Sequence, residues 1–174
     1  MIALGAQGGE SVAPRLGNEL DPTVNLFPSK PFGPNDYVYI MSVTEPHWIL
    51  FCETIGHPDI ATDPRFENPE ARKEHGEELK AIITEWTSAR TKKEAMHQLC
   101  EAGIPASAVF DTTDIFSDPH LTERGFVHHV SPGENQKRIS MLGWPARMSE
   151  SQVAMELAPG LGDHTTEILQ TVIG

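Results

Sequence analysis

The stretch GPNDYVYIMSVTEPHW, residues 33–48, contains the signals of a strand followed by a helix. Tyr37 to Met41 is rich in aromatic and β-branched residues, a composition typical of a strand. Thr44 followed by Pro46 is the pattern of a helix start, because a threonine oxygen can accept a hydrogen bond from an unpaired amide and proline lacks the amide that would go unpaired there. We therefore expect a strand over 37–41 and a helix that begins at 44–46.

Three apolar stripes with helical spacing follow this stretch. The first ends at Gly56, the second begins after Asn68-Pro69, and the third follows the capping box formed by Thr91 and Glu94 and stops at Gly103. The stripes consist of Trp48, Ile49, Phe51, Cys52 and Ile55; of Leu79, Ile82, Ile83 and Trp86; and of Ala95, Met96, Leu99 and Cys100.

Shorter elements complete the pattern. We expect a strand over 106–110, a brief helix from Asp118-Pro119 to Gly125, and a hairpin whose strands at 126–130 and 138–142 flank the turn Pro132-Gly133-Glu134-Asn135. Residues 163–173 read as a last helix, capped by Asp163. The order predicts an α+β fold, in which a small, mostly antiparallel sheet packs with helices. An extended N-terminal arm precedes it and a C-terminal helix closes it.

The first 36 residues lack a periodic pattern because glycines and prolines interrupt them repeatedly. We therefore interpret them as an extended arm or linker. Structureless runs of this length are unusual inside a compact domain, so the arm is expected to wrap around a partner or to belong to a larger protein.

Composition restricts the classes of partner. Lys and Arg number 13 against 25 Asp and Glu, so the formal net charge is −12. Such an acidic chain is a poor partner for nucleic acid and for anionic membranes. The sequence shows no targeting or membrane segment, and its two cysteines, Cys52 and Cys100, are too few for a disulfide scaffold. We therefore expect a cytoplasmic protein.

The residues alone do not form a complete catalytic or metal site. His97 shares a helix face with Cys100 and with Glu94, but two ligands do not make a site, while His128 and His129 should point to opposite faces of a strand. We expect Cys100 to be an ordinary buried small residue. The glycines of residues 5–9 match no phosphate-binding fingerprint, and the chain has no GxSxG motif.

A series of short motifs, in order, resembles the family III CoA-transferases, the family of formyl-CoA transferase. The match begins near Pro14 with RLGN at 15–18 and extends almost to the end of the chain. Its motifs are GPNDYVYI at 33–40, EPHW at 45–48, IG at 55–56, DPRF at 63–66, EAM at 94–96, AGIP at 102–105, DPHL at 118–121, RG at 124–125, GWP at 143–145 and PGLGDHT at 159–165.

The resemblance implies that the two domains of the full-length proteins have different roles. Family members are about twice as long, have a large CoA-binding domain and a small domain, and pair as interlocked dimers. Their reaction moves CoA from an acyl-CoA to a carboxylate through a nucleophilic aspartate of the large domain. This chain matches the small domain, over 37–145, and the tail that returns to the large domain, over 146–174. No catalytic residue is therefore expected here, and no cofactor other than a CoA thioester as a possible substrate.

Two segments are expected near CoA by resemblance. The first is Pro46, His47 and Trp48, at a helix start that favours anions; the alternative is that Trp48 is a core residue and His47 a solvated one. The second is Glu19-Leu20-Asp21-Pro22, where formyl-CoA transferases have a mobile glycine-rich loop. The absence of glycine there predicts a stiffer segment, so substrate choice is not transferred.

Three hypotheses follow from these observations. The chain is the small-domain part of a CoA-transferase, inactive alone and completed by a separate large-domain subunit. Alternatively, it is a non-catalytic binding or oligomerisation module, for which we expect a homodimer that covers its apolar arm and tail residues. The third hypothesis is an independent enzyme built on His47, His97 or His164.

Overall fold

Strand β2, Tyr37–Met41, is the centre of a three-stranded antiparallel sheet in the computed structural model, which describes residues 21–131, 137–151 and 153–173. Strand β1, Val24–Pro28, pairs with one edge of β2, placing Leu26 opposite Tyr39. The short strand β3, Ala106–Ala108, pairs with the other edge. The expected strand at 37–41 is confirmed, and its central position explains why Val38 and Ile40 are fully buried.

Strand β1 lies in the segment that we expected to be an arm. The structure differs from that expectation, because residues 24–28 pair with β2 and place Val24 and Phe27 in the interior. Phe27 is only 2% exposed and belongs to the main core, so it needs no separate partner. Phe32, by contrast, is 60% exposed.

Four helices and a short 3₁₀ segment surround this sheet. Their N-caps Thr44, Asn68 and Thr91 accept hydrogen bonds as predicted, and Thr91 and Glu94 form the full capping box. The elements are α1, Glu45–Thr54; the 3₁₀ segment, Pro58–Thr62; α2, Pro69–Glu74; α3, Gly76–Ser88; and α4, Lys92–Glu101.

The helix expected after Asn68-Pro69 is two helices, with a break at His75 between α2 and α3. Gly76 begins α3 where the chain passes close to Pro22: a Cβ at Gly76 would stand 3.0 Å from the Pro22 side chain. The glycine therefore allows the close approach of two segments that are distant in sequence.

The core of this region is a single apolar cluster between the sheet and the helices. Four predicted members of the stripes are not among its buried residues: Ile82 and Met96 are partly buried against it, whereas Ile49 is 47% exposed and Cys100 is exposed on α4. The buried members are Phe27, Val38, Ile40, Trp48, Phe51, Cys52, Ile55, Ile60, Phe66, Leu79, Ile83, Trp86, Ala95, Leu99 and Ile104.

Residues beyond Phe110 form a second group of elements. The predicted hairpin is confirmed by the pairing of β4 with β5, which places His129 opposite Ser140, although the turn at 132–135 lies outside the described residues. The elements are α5, Thr112–Ser117; α6, Pro119–Glu123; β4, Val127–Val130; β5, Ile139–Leu142; and α7, Thr165–Val172. Helix α5 was not expected.

Helix α7 begins one residue later than predicted and buries no side chain. Its N-cap is His164, without a side-chain hydrogen bond, so the predicted cap Asp163 is wrong. The Asp163 carboxylate instead accepts a hydrogen bond from the Gly160 amide at 2.6 Å. This hydrogen bond closes the turn that precedes the helix.

The chain is thus an α+β protein with small antiparallel sheets and a C-terminal helix. By compactness it divides into two units, Met1–Val109 and Phe110–Gly174. The boundary at residue 36, which rests on the glycines and prolines that precede it, and the boundary at residue 145, which rests on the family resemblance, stay predictions. Among the residues that the structure describes, no helix is long and apolar enough to cross a membrane.

Candidate functional site

The start of α1 carries the first predicted site segment. The Thr44 hydroxyl accepts a hydrogen bond from the His47 amide at 3.4 Å, and Pro46 occupies the first turn. Pro46 is exposed, His47 is half-buried and Trp48 is fully buried. The solvent exposure of the side chains therefore decreases along the segment, from Pro46 at the surface to Trp48 in the core.

Trp48 is held in the core by two ring contacts. Its ring centroid lies 6.2 Å from that of Phe51, and the Arg72 guanidinium carbon lies 4.5 Å from its ring. Such a cation–π contact is favourable because the face of the indole ring is electron-rich. The interpretation of Trp48 as a core residue is therefore confirmed.

Arg72 links α2 to the start of α1 from a buried position, with only 5% of its surface exposed. Its Nε donates a hydrogen bond to the Phe66 carbonyl at 2.8 Å, and its terminal nitrogen donates to both Glu45 carboxylate oxygens at 2.8 Å. A buried guanidinium needs such partners, since its desolvation is otherwise costly. The pair thus fixes the first turn of α1.

Three buried polar atoms near this turn have no hydrogen-bond partner among the described residues. They are Ser42 Oγ, His47 Nδ1 and Trp48 Nε1. A buried polar atom left without a partner costs about 1–3 kcal/mol, so native proteins nearly always satisfy such groups with protein, water or ligand. Hydroxyl, imidazole and indole groups can all donate hydrogen bonds to an oxygen ligand. The start of α1 is therefore the best candidate binding site in the first unit.

The second predicted segment, at Asp21 and Pro22, forms a tight turn. The Asp21 carbonyl accepts a hydrogen bond from the Val24 amide at 2.9 Å, and the Asp21 carboxylate accepts from the Thr23 amide and hydroxyl at 3.0 and 2.8 Å. These bonds agree with the stiff segment expected there. The other two predicted residues, Glu19 and Leu20, lie outside the described part of the chain.

The fold brings this turn next to the segment before α1. The Thr23 hydroxyl donates to the Ser42 carbonyl at 3.0 Å, and the Ser42 amide donates to the Thr23 carbonyl at 3.1 Å. Ser42 lies two residues before the cap Thr44. The two segments that resemblance suggests for CoA therefore approach each other through Ser42, a residue that sequence reasoning missed.

Nucleophilic chemistry is not supported at this site. Cys52, the thiol on α1, is fully buried, and burial raises its pKa to about 12 although the charge of Arg72 opposes the shift. It therefore stays protonated at neutral pH. No group of three His, Cys, Asp or Glu residues in the described ranges could hold a metal ion.

Sequence reasoning also missed a cavity of about 380 Å³ in the second unit. Arg124, His128, Trp144 and Arg147 are among the residues that line it. Arg124 and Trp144 belong to motifs of the family resemblance, but no sequence signal connects them to each other, since the hairpin and the chain after it bring them together.

Comparison with known proteins gives these features a context. The model of CoA-transferase family III matches residues 3–165, which is most of the chain. The chain belongs to CoA-transferase family III. The family resemblance inferred from the short motifs is thereby confirmed.

The family relatives include formyl-CoA:oxalate CoA-transferases. Those of Rhodopseudomonas palustris strain BisA53 and Bradyrhizobium diazoefficiens are 36% and 37% identical over 141 residues, or 81% of this chain and 33% of each relative. The chain thus spans about a third of the length of these curated relatives.

Solved structures show the same fold. A CAIB/BAIF family protein from Brucella suis superimposes with a TM-score of 0.74 at 21% identity, over 97% of this chain and 43% of that protein. Rv3272 from Mycobacterium tuberculosis gives a TM-score of 0.64 at 22% identity, over 87% of this chain and 40% of that protein.

Proposed function

We propose that this family III chain is the small-domain part of a CoA-transferase, which moves CoA between an acyl-CoA and a carboxylate. The main support for this proposal is the match to a formyl-CoA:oxalate CoA-transferase, which covers 81% of this chain but only 33% of the relative. The nucleophilic aspartate is supplied by a large domain outside this sequence, and the chain is inactive without it. The acyl-CoA is a substrate, no resident cofactor takes part, and the reaction is cytoplasmic.

The chemistry divides between the two parts. The aspartate carboxylate attacks the thioester carbonyl and the C–S bond breaks, which gives an acyl-aspartyl anhydride and free CoA thiolate. The thiolate then attacks the aspartyl carbonyl, which releases the donor carboxylate and forms an aspartyl-CoA thioester. The acceptor carboxylate receives CoA from this thioester by the same two steps in reverse. This chain contributes the start of α1, where Ser42, His47 and Trp48 have unpartnered polar atoms that could bind CoA or its acyl group. The positive end of the α1 dipole favours the anionic parts of the substrate.

The apolar surface of α7 supports a large domain as the partner, since no residue that the structure describes covers it. Helix α7 leaves all its apolar side chains exposed, including Ile168, Leu169 and Val172. An amphipathic helix of this kind gains little stability unless its apolar face is covered.

Reconstitution tests the proposal. The second component is the part of the Bradyrhizobium diazoefficiens relative that remains when the 141 residues matched by this chain are removed. This polypeptide is mixed with the chain, and the transfer of labelled CoA from formyl-CoA to oxalate is measured. We expect exchange by the mixture only, with a raised KM in the variant His47→Ala and no change in Lys137→Ala, a surface control. Turnover of acyl-CoA by the chain alone would overturn the proposal, as would a mixture that neither associates nor gains activity.

A homodimer is a second candidate, favoured by the same exposed face of α7, which a second copy could cover. It corresponds to a non-catalytic oligomerisation module. Sedimentation of the pure chain at micromolar concentration separates the two, since a dimer that dissociates in the variant Leu169→Glu supports the module. A monomer that associates only with the large domain supports the transferase.

A further inference from the structure

The second unit contains a cavity of about 380 Å³ that the proposed function does not use. Its walls come from the end of α6, from β4, and from the two stretches of chain that follow β5. This volume lies at the lower end of the range for small-molecule sites. All the described residues that line the cavity lie between 124 and 155, which places them in the second unit.

Two arginines line this cavity and have no counter-ion among the residues that the structure describes. Arg124 and Arg147 both line it, and neither guanidinium forms an ion pair or a hydrogen bond with another residue that the structure describes. Both arginines also line an adjoining smaller cavity with His120 and Glu123. In a chain of net charge −12, two unpaired guanidiniums on one concave surface form a local positive site.

The other walls of the cavity are partly apolar. Trp144, 58% exposed, lines it together with Met148 and Val153, which are also exposed. Exposed apolar side chains around a concave surface are a common feature of ligand sites. His128 adds an imidazole, whose ring is packed so closely on Gly143 that a Cβ there would stand 2.5 Å from Nε2.

We propose that this cavity binds a small organic anion. The oxyanion of a carboxylate or phosphate pairs with Arg124 and Arg147, since a guanidinium can donate two parallel hydrogen bonds to such a group. The apolar part of the ligand packs on Trp144. The site is independent of the proposed function, because it needs neither the large domain nor the start of α1.

Titration of the whole chain with two probes tests the site and separates the two anion sources. Phenyl phosphate and phenylacetate are each titrated by calorimetry, with benzyl alcohol as the uncharged control. Binding of either anion, but not of benzyl alcohol, supports the proposal, and the tighter probe identifies the oxyanion. Failure of both anions to bind at millimolar concentration overturns it.

Variants that each remove one positive charge locate the site. We expect Arg124→Gln and Arg147→Gln each to weaken the anion about tenfold, whereas Arg138→Gln, an exposed arginine of the same unit outside the cavity, leaves affinity unchanged. Trp144→Phe should remove most of the ligand-induced fluorescence change, because Trp48 and Trp86 are buried in the other unit. The assignment is overturned if all three arginine variants weaken anion binding equally, or if none of them weakens it. Circular dichroism checks that each variant is folded.

Discussion

Arg72 shows how one buried charge organises the first turn of α1. Its guanidinium contacts a carbonyl, a carboxylate and an indole ring at once, from Phe66, Glu45 and Trp48. The arginine is held by partners on three sides, so it cannot be replaced without leaving some of them unsatisfied.

We expect Arg72→Met to lower the free energy of unfolding by about 2–3 kcal/mol, because the Glu45 carboxylate and the Phe66 carbonyl lose their donor. Urea unfolding measures the change. The matched control is Arg65→Met, whose guanidinium pairs with Asp63 and Glu78 at the surface and should matter far less. Equal losses in the two variants would contradict the role of burial.

Cys52 gives the protein a dependence on alkaline pH. Burial raises the pKa of its thiol from 9.0 to about 12, so above pH 9 the unfolded chain releases a proton that the folded chain retains. The free energy of unfolding should therefore decrease as the pH rises from 9 towards 12. We expect Cys52→Ala to show a shallower decrease over this window in urea unfolding, and a decrease as steep as that of the unsubstituted chain would contradict this expectation.

The same difference between the thiols appears in labelling. Cys100 is exposed, with Sγ 3.4 Å from the Ala106 carbonyl, and Cys52 is fully buried. At pH 8, a thiol reagent should modify one cysteine in the native chain and both in denaturant. Rapid modification of Cys52 in the native state would mean that its burial is wrong.

At the level of single residues, sequence predicts what depends on near neighbours. The caps Thr44, Asn68 and Thr91 were predictable, since each satisfies the amide three positions further along the chain. Cys100 and Ile49 were not, because apolar spacing on a helix does not show how wide a face the rest of the fold covers.

Helix α4 depends on its capping box. The Thr91 hydroxyl accepts from the Glu94 amide at 3.2 Å, and the Glu94 carboxylate accepts from the Thr91 amide at 2.8 Å. We expect Thr91→Ala to cost about 1 kcal/mol in urea unfolding, while Thr91→Ser, which keeps the hydroxyl, should remain close to wild type. A loss of the same size in Thr91→Ser would exclude the cap as the cause.

The capping box also sets an acid dependence. Hydrogen bonds from the Thr91 amide, and then from its hydroxyl, lower the pKa of Glu94. The carboxylate therefore stabilises the fold above its unfolded pKa of about 4.3, and this contribution is lost as the pH falls through the lower folded pKa. Glu94→Gln should remove that part of the acid dependence, as measured by thermal unfolding between pH 3 and pH 6.

Elements that depend on distant contacts were less predictable than helix ends. Strand β1 contains Pro28 and follows Pro22, so its sequence resembles a loop, yet pairing with β2 makes it a strand. The break before α3 was not predictable either, and it lies beside a close approach of Gly76 to Pro22 that no local pattern shows.

Burial is distributed unevenly over the whole molecule. All members of the main core cluster precede Val109, whereas Val127 is the single buried apolar residue among those described beyond Phe110. We expect amides of β2 and α3 to exchange with deuterium far more slowly than those of β4, β5 and α7, because exchange follows local stability. Mass spectrometry of the isolated chain measures this, and uniform protection of both units would contradict it.

For the molecule as a whole, the sequence predicts only part of what bears on function. The motifs around Pro46 and Trp48 led to the family and to the start of α1, because they are contiguous in sequence. The cavity of Arg124 and Arg147 was not predictable, since it forms only when the hairpin and the chain after it fold together.

The bare apolar stripe of α7 has a practical consequence for handling the chain. A net charge of −12 makes copies repel one another in dilute buffer, which keeps these helices from meeting. Added electrolyte shortens the range of that repulsion to a few ångströms near molar concentration and strengthens apolar attraction. Purification of this chain by itself should therefore succeed at low ionic strength, and turbidity should grow as sodium sulfate is added.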